Sequence, residues 1–590
     1  MSNQKTFLSG NLLFIVIIAA FIFLAFSPCL KAQYLNWDDH SHFYKHKPVQ
    51  QLSWANVQTI FTETVQDIYI PLTTLSFSLE KFCFGFTPAV THGINILFHA
   101  GVVLLALALA LQLGISRRAA FLAALLFAIH PMHVESVAWA TERKDVLYSM
   151  FYLGAVLAMT RRRYILAIFW TLLSLLAKPM ALSLPCVMLW VAWYQGKFSL
   201  KSVFQSIPFF VLAIGIGWLT YMHHVRNPIA SLGLSALTWL WTLGFYIWKF
   251  LWPWSLHPLY DLPQPVSLFY GPYFLTIIFL IATGLALYVR RGERLLRFAL
   301  GWYFLSIFFL LRFDAKDVHG VADRFMYLPS LGLCFWFGNL FHEQLQRIHI
   351  KRWVLLGLVV LFLLLGVKTF LQCRIWRNNE TLWTYVIKNY PRKELAYNDR
   401  AVAYADEGRF ELAVKDLTTV LGFASNKALA FYNRGVTYRD WAERSLKNGQ
   451  KKEAEALYGL SLKDFSDAIF WDKNYARTYS QRASVYFSLG EFDKAVRDTS
   501  SAIEREPSYP EAYHYRGNAL AALKDFDKAL SDHNRSIELN PSEPRYYNDR
   551  AIVLFRLGHK AEALSDLDHA ILLDPGFKDA YFNRSAIQAH

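Results

Sequence analysis

The chain has 590 residues, of which 54% are hydrophobic, 16% aromatic and 18% charged. That length predicts more than one domain, and an apolar excess with so few charges excludes both a disordered chain and one ordinary soluble domain. The formal charge of +15 is uneven: residues 371–590 carry 32 basic and 31 acidic side chains, so about +14 lies in residues 1–370 among apolar runs, a pattern of membrane topology and anionic lipid rather than of nucleic acid.

The first apolar run, residues 11–26, has a thin basic flank in Lys5 and no small-residue cleavage site. It reads as a retained first helix rather than a signal peptide. Runs near the ~20-residue spanning length recur to residue 371. Spans are predicted near 10–28, 90–112, 119–137, 146–160, 163–177, 180–195, 203–222, 272–289, 295–312, 323–341 and 352–371. The run 236–254 carries five tryptophans and Lys249, and tryptophan favours the membrane interface, so it reads as an interfacial helix. Eleven spans then place Arg117, Arg118, Arg161, Arg162, Arg163, Lys197, Lys201, Arg290, Arg291, Arg294, Arg297, Arg347, Lys351 and Arg352 on one side, the cytoplasm. Residues 29–89, the 138–145 loop, Lys178, residues 223–271 and 313–322, and everything after 371 fall on the opposite side. The five cysteines have no CxxC or zinc spacing and no even count; a single Cys29–Cys83 bridge is possible.

Beyond residue 390 a repeat is plain. Arg400, Arg434, Arg482, Arg516, Arg550 and Arg584 are spaced 34, 48, 34, 34 and 34, and Tyr397, Tyr479, Tyr513, Tyr547 and Tyr581 keep step. With Ala413, Ala495, Ala529 and Ala563 inside the unit and Pro507, Pro541 and Pro575 closing it, this is the tetratricopeptide signature of two helices per unit. Five units and a last helix at 580–590 are predicted. The 14 extra residues around 441–456 should lengthen the helices of the second unit, and 379–391 reads as half of a leading repeat.

Charged groups inside apolar surroundings are functional candidates. Trp37-Asp38-Asp39 follows the first span, and one carboxylate could serve as a general base. Neighbours in a chain point in different directions, so the two should have different roles, with Asp39 expected to be the more sensitive. His130, His133 and Glu135 stand as H-x-x-H-x-E at the end of the third span, readable as metal ligands or as an interfacial network. Glu142, Arg143, Lys144 and Asp145 lie between spans, Lys178 interrupts an apolar stretch, and Arg324 follows Asp323. Arg and Lys together suit a phosphate. The absence of a P-loop, G-x-G-x-x-G or G-x-S-x-G argues against a nucleotide-driven pump or a Rossmann enzyme.

NWDD, HPMHVESVAWATERKDVL, AKPMALSLP, ADRFMYLPSLGL and WRNNETLW occur in this order and run into the repeats. The chain resembles bacterial relatives of the transmembrane and tetratricopeptide-repeat-containing O-mannosyltransferases. These are C-type (GT-C) glycosyltransferases, multi-span enzymes that use polyprenyl-phosphate sugars. The expected fold is all-α: a polytopic GT-C-like membrane domain at 1–371, a connector with the leading half repeat at 372–394 and a tetratricopeptide α-solenoid at 395–590. The resemblance implies that Asp38 and Asp39 are catalytic and that Arg143, Lys144, Lys178 and Arg324 contact the donor lipid phosphate. Trp37, His130, His133, Glu135 and Glu142 would support them, with no metal or other cofactor implied. Where relatives have His before Pro-Leu-Thr, this chain has Ile70.

The implied reaction is inverting transfer of a mannose-like sugar from a polyprenyl phosphate to an acceptor hydroxyl on protein. It would occur at the outer face of the cytoplasmic membrane of a bacterium. The expected partners are the lipid donor and a protein or peptide acceptor recruited by the repeats, with no nucleic acid. Two alternatives belong to other classes. A membrane-anchored repeat scaffold would have no activity, and a transporter would show internal repeats in its membrane half, which are not seen.

Overall fold

In a computed structural model, residues 2–44, 46–223, 232–308, 321–347 and 351–589 are described. They form helices, turns and coil, with one isolated bridge between Val65 and Ile68. The chain packs as two units, Met1–Val386 and Ile387–His590.

In the first unit, five helices are long and apolar enough to cross a membrane: Leu12–Lys31, Pro88–Gln112, Leu200–Met222, Gly271–Val289 and Arg352–Ile375. A sixth is made if the pair Arg117–Ile129 and Pro131–Ala138, bent by 50°, counts as one span. The expectation of eleven is corrected on this point. The remaining apolar runs do form helices, but most are short. Tyr164–Ala177 has 14 residues, about 21 Å at 1.5 Å per residue, against a hydrocarbon core of about 30 Å. Arg143–Thr160 is longer but opens on Arg143, Lys144 and Asp145. The far end of the 295–312 run and residues 313–320 lie outside the described residues. The five cysteines are free thiols, Cys29 buried and Cys83 exposed, so the possible bridge between them is not formed.

Two features shape the site. Proline disfavours helical backbone in the residue before it, and His130, ahead of Pro131, is extended at ψ 127. The helix Arg117–Ile129 therefore stops, and the short turns Val134–Ala138 and Ala140–Glu142 follow at the bundle end. The bundle itself is tight because small residues let backbones approach. A Cβ placed on Gly338 would lie 2.5 Å from the Ala119 carbonyl oxygen and 2.6 Å from the Ala123 nitrogen.

The second unit is a row of antiparallel helix pairs. Each pair is tied by a bidentate arginine–aspartate bridge: Arg400–Asp416, Arg482–Asp498, Arg516–Asp532 and Arg550–Asp566, each with N···O distances of 2.7–2.8 Å. The repeated tyrosines turn back on the chain, with Tyr479, Tyr513 and Tyr547 donating to the carbonyls of Lys473, Pro507 and Pro541. The extra residues lengthen both helices of the second pair, Lys427–Lys447 and Lys451–Trp471, to 21 residues each. There the bridge is Arg434–Asp464, 30 residues apart instead of 16.

Candidate active site

Segments distant in sequence meet at the end of the first unit where the helix Arg143–Thr160 begins. The loop after the first span is pinned by the chain that follows the last span. Gln33 donates its N–H to the Arg377 carbonyl at 2.8 Å, and Asn36 donates to Asn379 Oδ1 at 2.8 Å. The Trp383 indole N–H reaches Asn36 Oδ1 at 3.1 Å. Trp37 stacks on Trp139 with ring centres 4.5 Å apart and tilts against Trp383 at 5.2 Å, while Trp139 stacks on Trp376 at 5.5 Å. Aromatic pairs of this kind add about 0.5–1.5 kcal/mol each beyond area burial, on top of the three hydrogen bonds that pin the loop.

The two aspartates on that loop have different surroundings. Asp39 is fully buried, and both its oxygens are engaged: Oδ2 accepts from the Leu35 N–H at 2.8 Å and Oδ1 from the Thr141 N–H at 3.2 Å. Burial pushes its pKa up to about 7 against those two donors. Asp39 thus ties the first loop to the 139–142 turn. Asp38 is half-buried. Burial raises its pKa and Glu142 adds to this, while Lys144 and Arg324 oppose it. Its Oδ1 accepts from Gln66 Nε2 at 3.4 Å. Gln66 and its neighbour Asp67 both have left-handed backbone, at φ 50 and 60, a conformation that costs energy in non-glycine residues and concentrates at functional sites.

Beside Asp38 three cations are built around one carboxylate, and two of them, Lys144 and Arg324, act on Asp38 as well. Glu142 is buried with Lys144 Nζ at 3.0 Å, Arg324 Nε at 3.4 Å and Lys178 Nζ at 3.5 Å. Burial alone would raise the Glu142 pKa, but these three cations hold it below the ordinary carboxylate range. Lys144 is correspondingly raised: burial works against its charge, and Glu142 and Asp38 outweigh it. Lys178 also pairs with Asp145, whose other oxygen accepts from Ser136 at 3.0 Å. Arg324 pairs with Glu135, which accepts from the Arg324 backbone N–H at 3.0 Å as well. The Arg324 guanidinium lies 5.5 Å over the Trp139 ring, and its side chain is 22% exposed, the most open of the three.

Three of the expected residues lie elsewhere. Arg143 is fully buried and turned away, paired with Glu80 and donating to Asn95 Oδ1 at 2.9 Å. His133 Nδ1 donates to the Phe127 carbonyl at 2.7 Å and its Nε2 meets Ser330 Oγ at 2.9 Å, while His130 Nε2 donates to the Phe250 carbonyl at 3.0 Å. Both imidazoles thus hold helices together rather than joining the charged cluster. Among the described residues no three His, Cys, Asp or Glu side chains are grouped to hold a metal. Sequence reasoning missed Gln66 and buried His42, which feels the charge of Lys144. It also missed an apolar cavity of about 180 Å³ between His130, Phe250, Trp252, Phe337 and Lys368. Nothing local in the sequence marks Gln66 or His42, whereas the tryptophan-rich run 236–254 marks one wall of the cavity.

Residues 480–544 and 517–588 match tetratricopeptide-repeat family models. Over 483 residues the chain is 24% identical to protein O-mannosyl-transferase TMTC3 of Mus musculus, covering 72% of this chain and 51% of that protein. The chain is similar in sequence to TMTC O-mannosyl-transferases. It is 26% identical to human TMTC4 over 60% of this chain and 58% of that one, and 25% identical to Tmtc1 of Drosophila melanogaster over 62% and 55%. The chain spans about half the length of the curated relatives it matches. Among solved structures, a tetratricopeptide-repeat protein of Thermus thermophilus, TTC0263, is 19% identical with a TM-score of 0.28, covering 34% of this chain and 100% of that one. YrrB, a repeat protein with an unusual peptide-binding site, is 20% identical with a TM-score of 0.25, covering 34% and 97%.

The arrangement offers a half-buried carboxylate acted on by two cations of a three-cation cluster, on a loop that carries stacked indoles. A carboxylate of raised pKa suits proton abstraction near neutral pH. Clustered Lys and Arg suit a phosphate whose negative charge grows as a bond to it breaks.

Proposed function

We propose that this chain is a membrane glycosyltransferase that moves a mannose-like sugar from a polyprenyl phosphate to a hydroxyl of a protein acceptor. The reading is supported by the sequence similarity and by one geometric observation, the gathering of Lys144, Lys178 and Arg324 around Glu142, with Lys144 and Arg324 also acting on Asp38. Asp38 is the base. Its carboxylate takes the acceptor hydroxyl proton as that oxygen bonds to the anomeric carbon. The bond from that carbon to the phosphate oxygen breaks with inversion, and the lipid phosphate leaves with the electron pair, its charge met by the three cations. Asp39 is a positioning residue that holds the loop. The repeats recruit the acceptor, and the site opens on the extracytoplasmic face of a bacterial cytoplasmic membrane.

The test is transfer from polyprenyl-phosphate mannose to cell-envelope protein by the purified full-length chain. Asp38→Asn should lower the rate about 10²–10⁴-fold with an unchanged melting temperature. Full activity in that variant overturns the assignment. A second reading, a non-catalytic scaffold, draws on the repeat array alone. It gains if the wild-type chain transfers nothing from any polyprenyl-phosphate sugar.

A further inference from the structure

The helix Arg143–Thr160 carries the candidate active site at its first turn. Its other end, about 27 Å away for 18 residues, enters a cavity of about 390 Å³. The helix Leu184–Tyr194 runs the same way, from the Lys178 end to Gln195. Three cations line this cavity, Arg162, Lys197 and Lys201, and its described lining residues include no carboxylate. None of the three makes an ion pair among the described residues; Lys197 Nζ donates to the neutral Gln195 Oε1 at 3.1 Å. This is the reverse of the active-site cluster, where each cation has its own carboxylate. The floor is apolar, with Val156, Met188 and Val191.

Arg162 is also held in an uncommon way. The turn that ends the helix closes with Arg162 N–H on the Met159 carbonyl at 3.0 Å and Arg163 N–H on the Ala158 carbonyl at 2.9 Å. This puts Arg162 in left-handed backbone at φ 58, a helix-end position that glycine usually fills. A charged side chain stands there, lining the cavity, where a glycine would cost less.

We propose that this cavity is a binding site for a phosphate-bearing anion, held by Arg162, Lys197 and Lys201 at the end of the bundle opposite the candidate active site. The three donors neutralise the phosphate, and the apolar floor accepts what the phosphate carries. A basic pocket between helices of the membrane unit has the chemistry of a phospholipid headgroup site; a soluble phosphate has the same anionic group without the hydrocarbon. The inference is independent of sugar transfer.

The test uses full-length protein in phosphatidylcholine nanodiscs, with thermal unfolding and native mass spectrometry as readouts. Phosphatidylglycerol and, separately, inorganic phosphate are the probes. The variant Arg162→Gly/Lys197→Gln/Lys201→Gln keeps the turn, because glycine fits the left-handed position. A control variant, Arg118→Gln/Arg291→Gln/Arg347→Gln, removes as many cations from elsewhere in the membrane unit. Wild type and control should retain a bound phosphatidylglycerol and be stabilised by it. At roughly five-fold per cation, the cavity variant should bind about 100-fold more weakly. Stabilisation by inorganic phosphate that is lost in the cavity variant supports a soluble anion as occupant; loss seen with lipid alone supports a headgroup. Equal weakening in both triple variants, or no effect of either probe on the wild type, overturns the site.

Discussion

Each Asp39 oxygen accepts a backbone N–H while burial pushes its pKa up to about 7. In the unfolded chain the same carboxyl titrates near its ordinary value of about 3.9. Between those values the folded protein keeps a proton that the unfolded chain has released, so the contribution of Asp39 to stability is full below pH ~4 and is lost as pH rises towards ~7. Thermal unfolding of the wild type across that range should show this decline, and Asp39→Asn should remove it. The same variant should be less stable by roughly 1–3 kcal/mol, because its amide nitrogen faces a backbone N–H donor. Its unfolding should therefore separate it from Asp38→Asn, which loses rate and not stability. The sequence marked both aspartates and favoured Asp39 as the more sensitive; the proposed mechanism puts Asp38 there instead, since the division rests on the N–H groups of Leu35 and Thr141 that engage Asp39, one of them 102 residues away. Arg143 and Lys144 illustrate the same limit. Adjacent residues on a helix point about 100° apart, so one meets Glu80 and the other Glu142 although both read as phosphate ligands.

Helices announce themselves in this sequence better than their lengths do. Every apolar run within the described residues carries a helix, and the break at Lys178-Pro179 falls where the sequence puts it, but hydropathy does not register the stop at His130-Pro131, where the 119–137 run becomes the helix Arg117–Ile129 and a bent continuation. The repeats were the most legible elements because each unit makes the same contacts, so the same residues recur at a period of 34. Their aspartate partners recur as regularly, 16 residues after each arginine in four of the five bridges, yet were not singled out, since an exposed-looking acid in a charged helix has no distinguishing neighbour in sequence. The helix pair Arg117–Ile129 and Ser330–Leu345 supplies a prediction at this scale. Gly338→Ala puts a Cβ into the backbone of Ala119 and Ala123, so the two helices must part. The expected loss is roughly 1–3 kcal/mol, read as a lowered melting temperature of the full chain in detergent.

For the whole molecule, the residues after 163 and those after 375 leave the bundle at opposite ends, since Arg163 follows the end of the helix whose start packs among Trp139 and Trp376. Reporter fusions at 163 and at 400 should therefore read opposite sides, the first cytoplasmic and the second extracytoplasmic on the proposed orientation. A cytoplasmic reading at 400 removes the repeats from the proposed acceptor side. Composition already indicated a membrane part and a soluble part, because apolar content and net charge both change near residue 371. The order in which distant segments meet was not legible, because nothing local in NWDD names Asn379 or Trp383 as its partners. One more consequence follows from the way Glu135, Glu142 and Asp145 sit against Arg324, Lys144 and Lys178. These three pairs of opposite charge at contact distance cancel beyond a few ångströms, and Asp38 acts on the same cations, so the cluster projects little positive field into solution. Mobile ions, which attenuate interactions beyond about 10 Å at 0.1 M salt, then have little to attenuate. Initial rates measured from low to high ionic strength should leave the KM for the donor nearly flat, unlike an enzyme that draws its anionic substrate in from a distance.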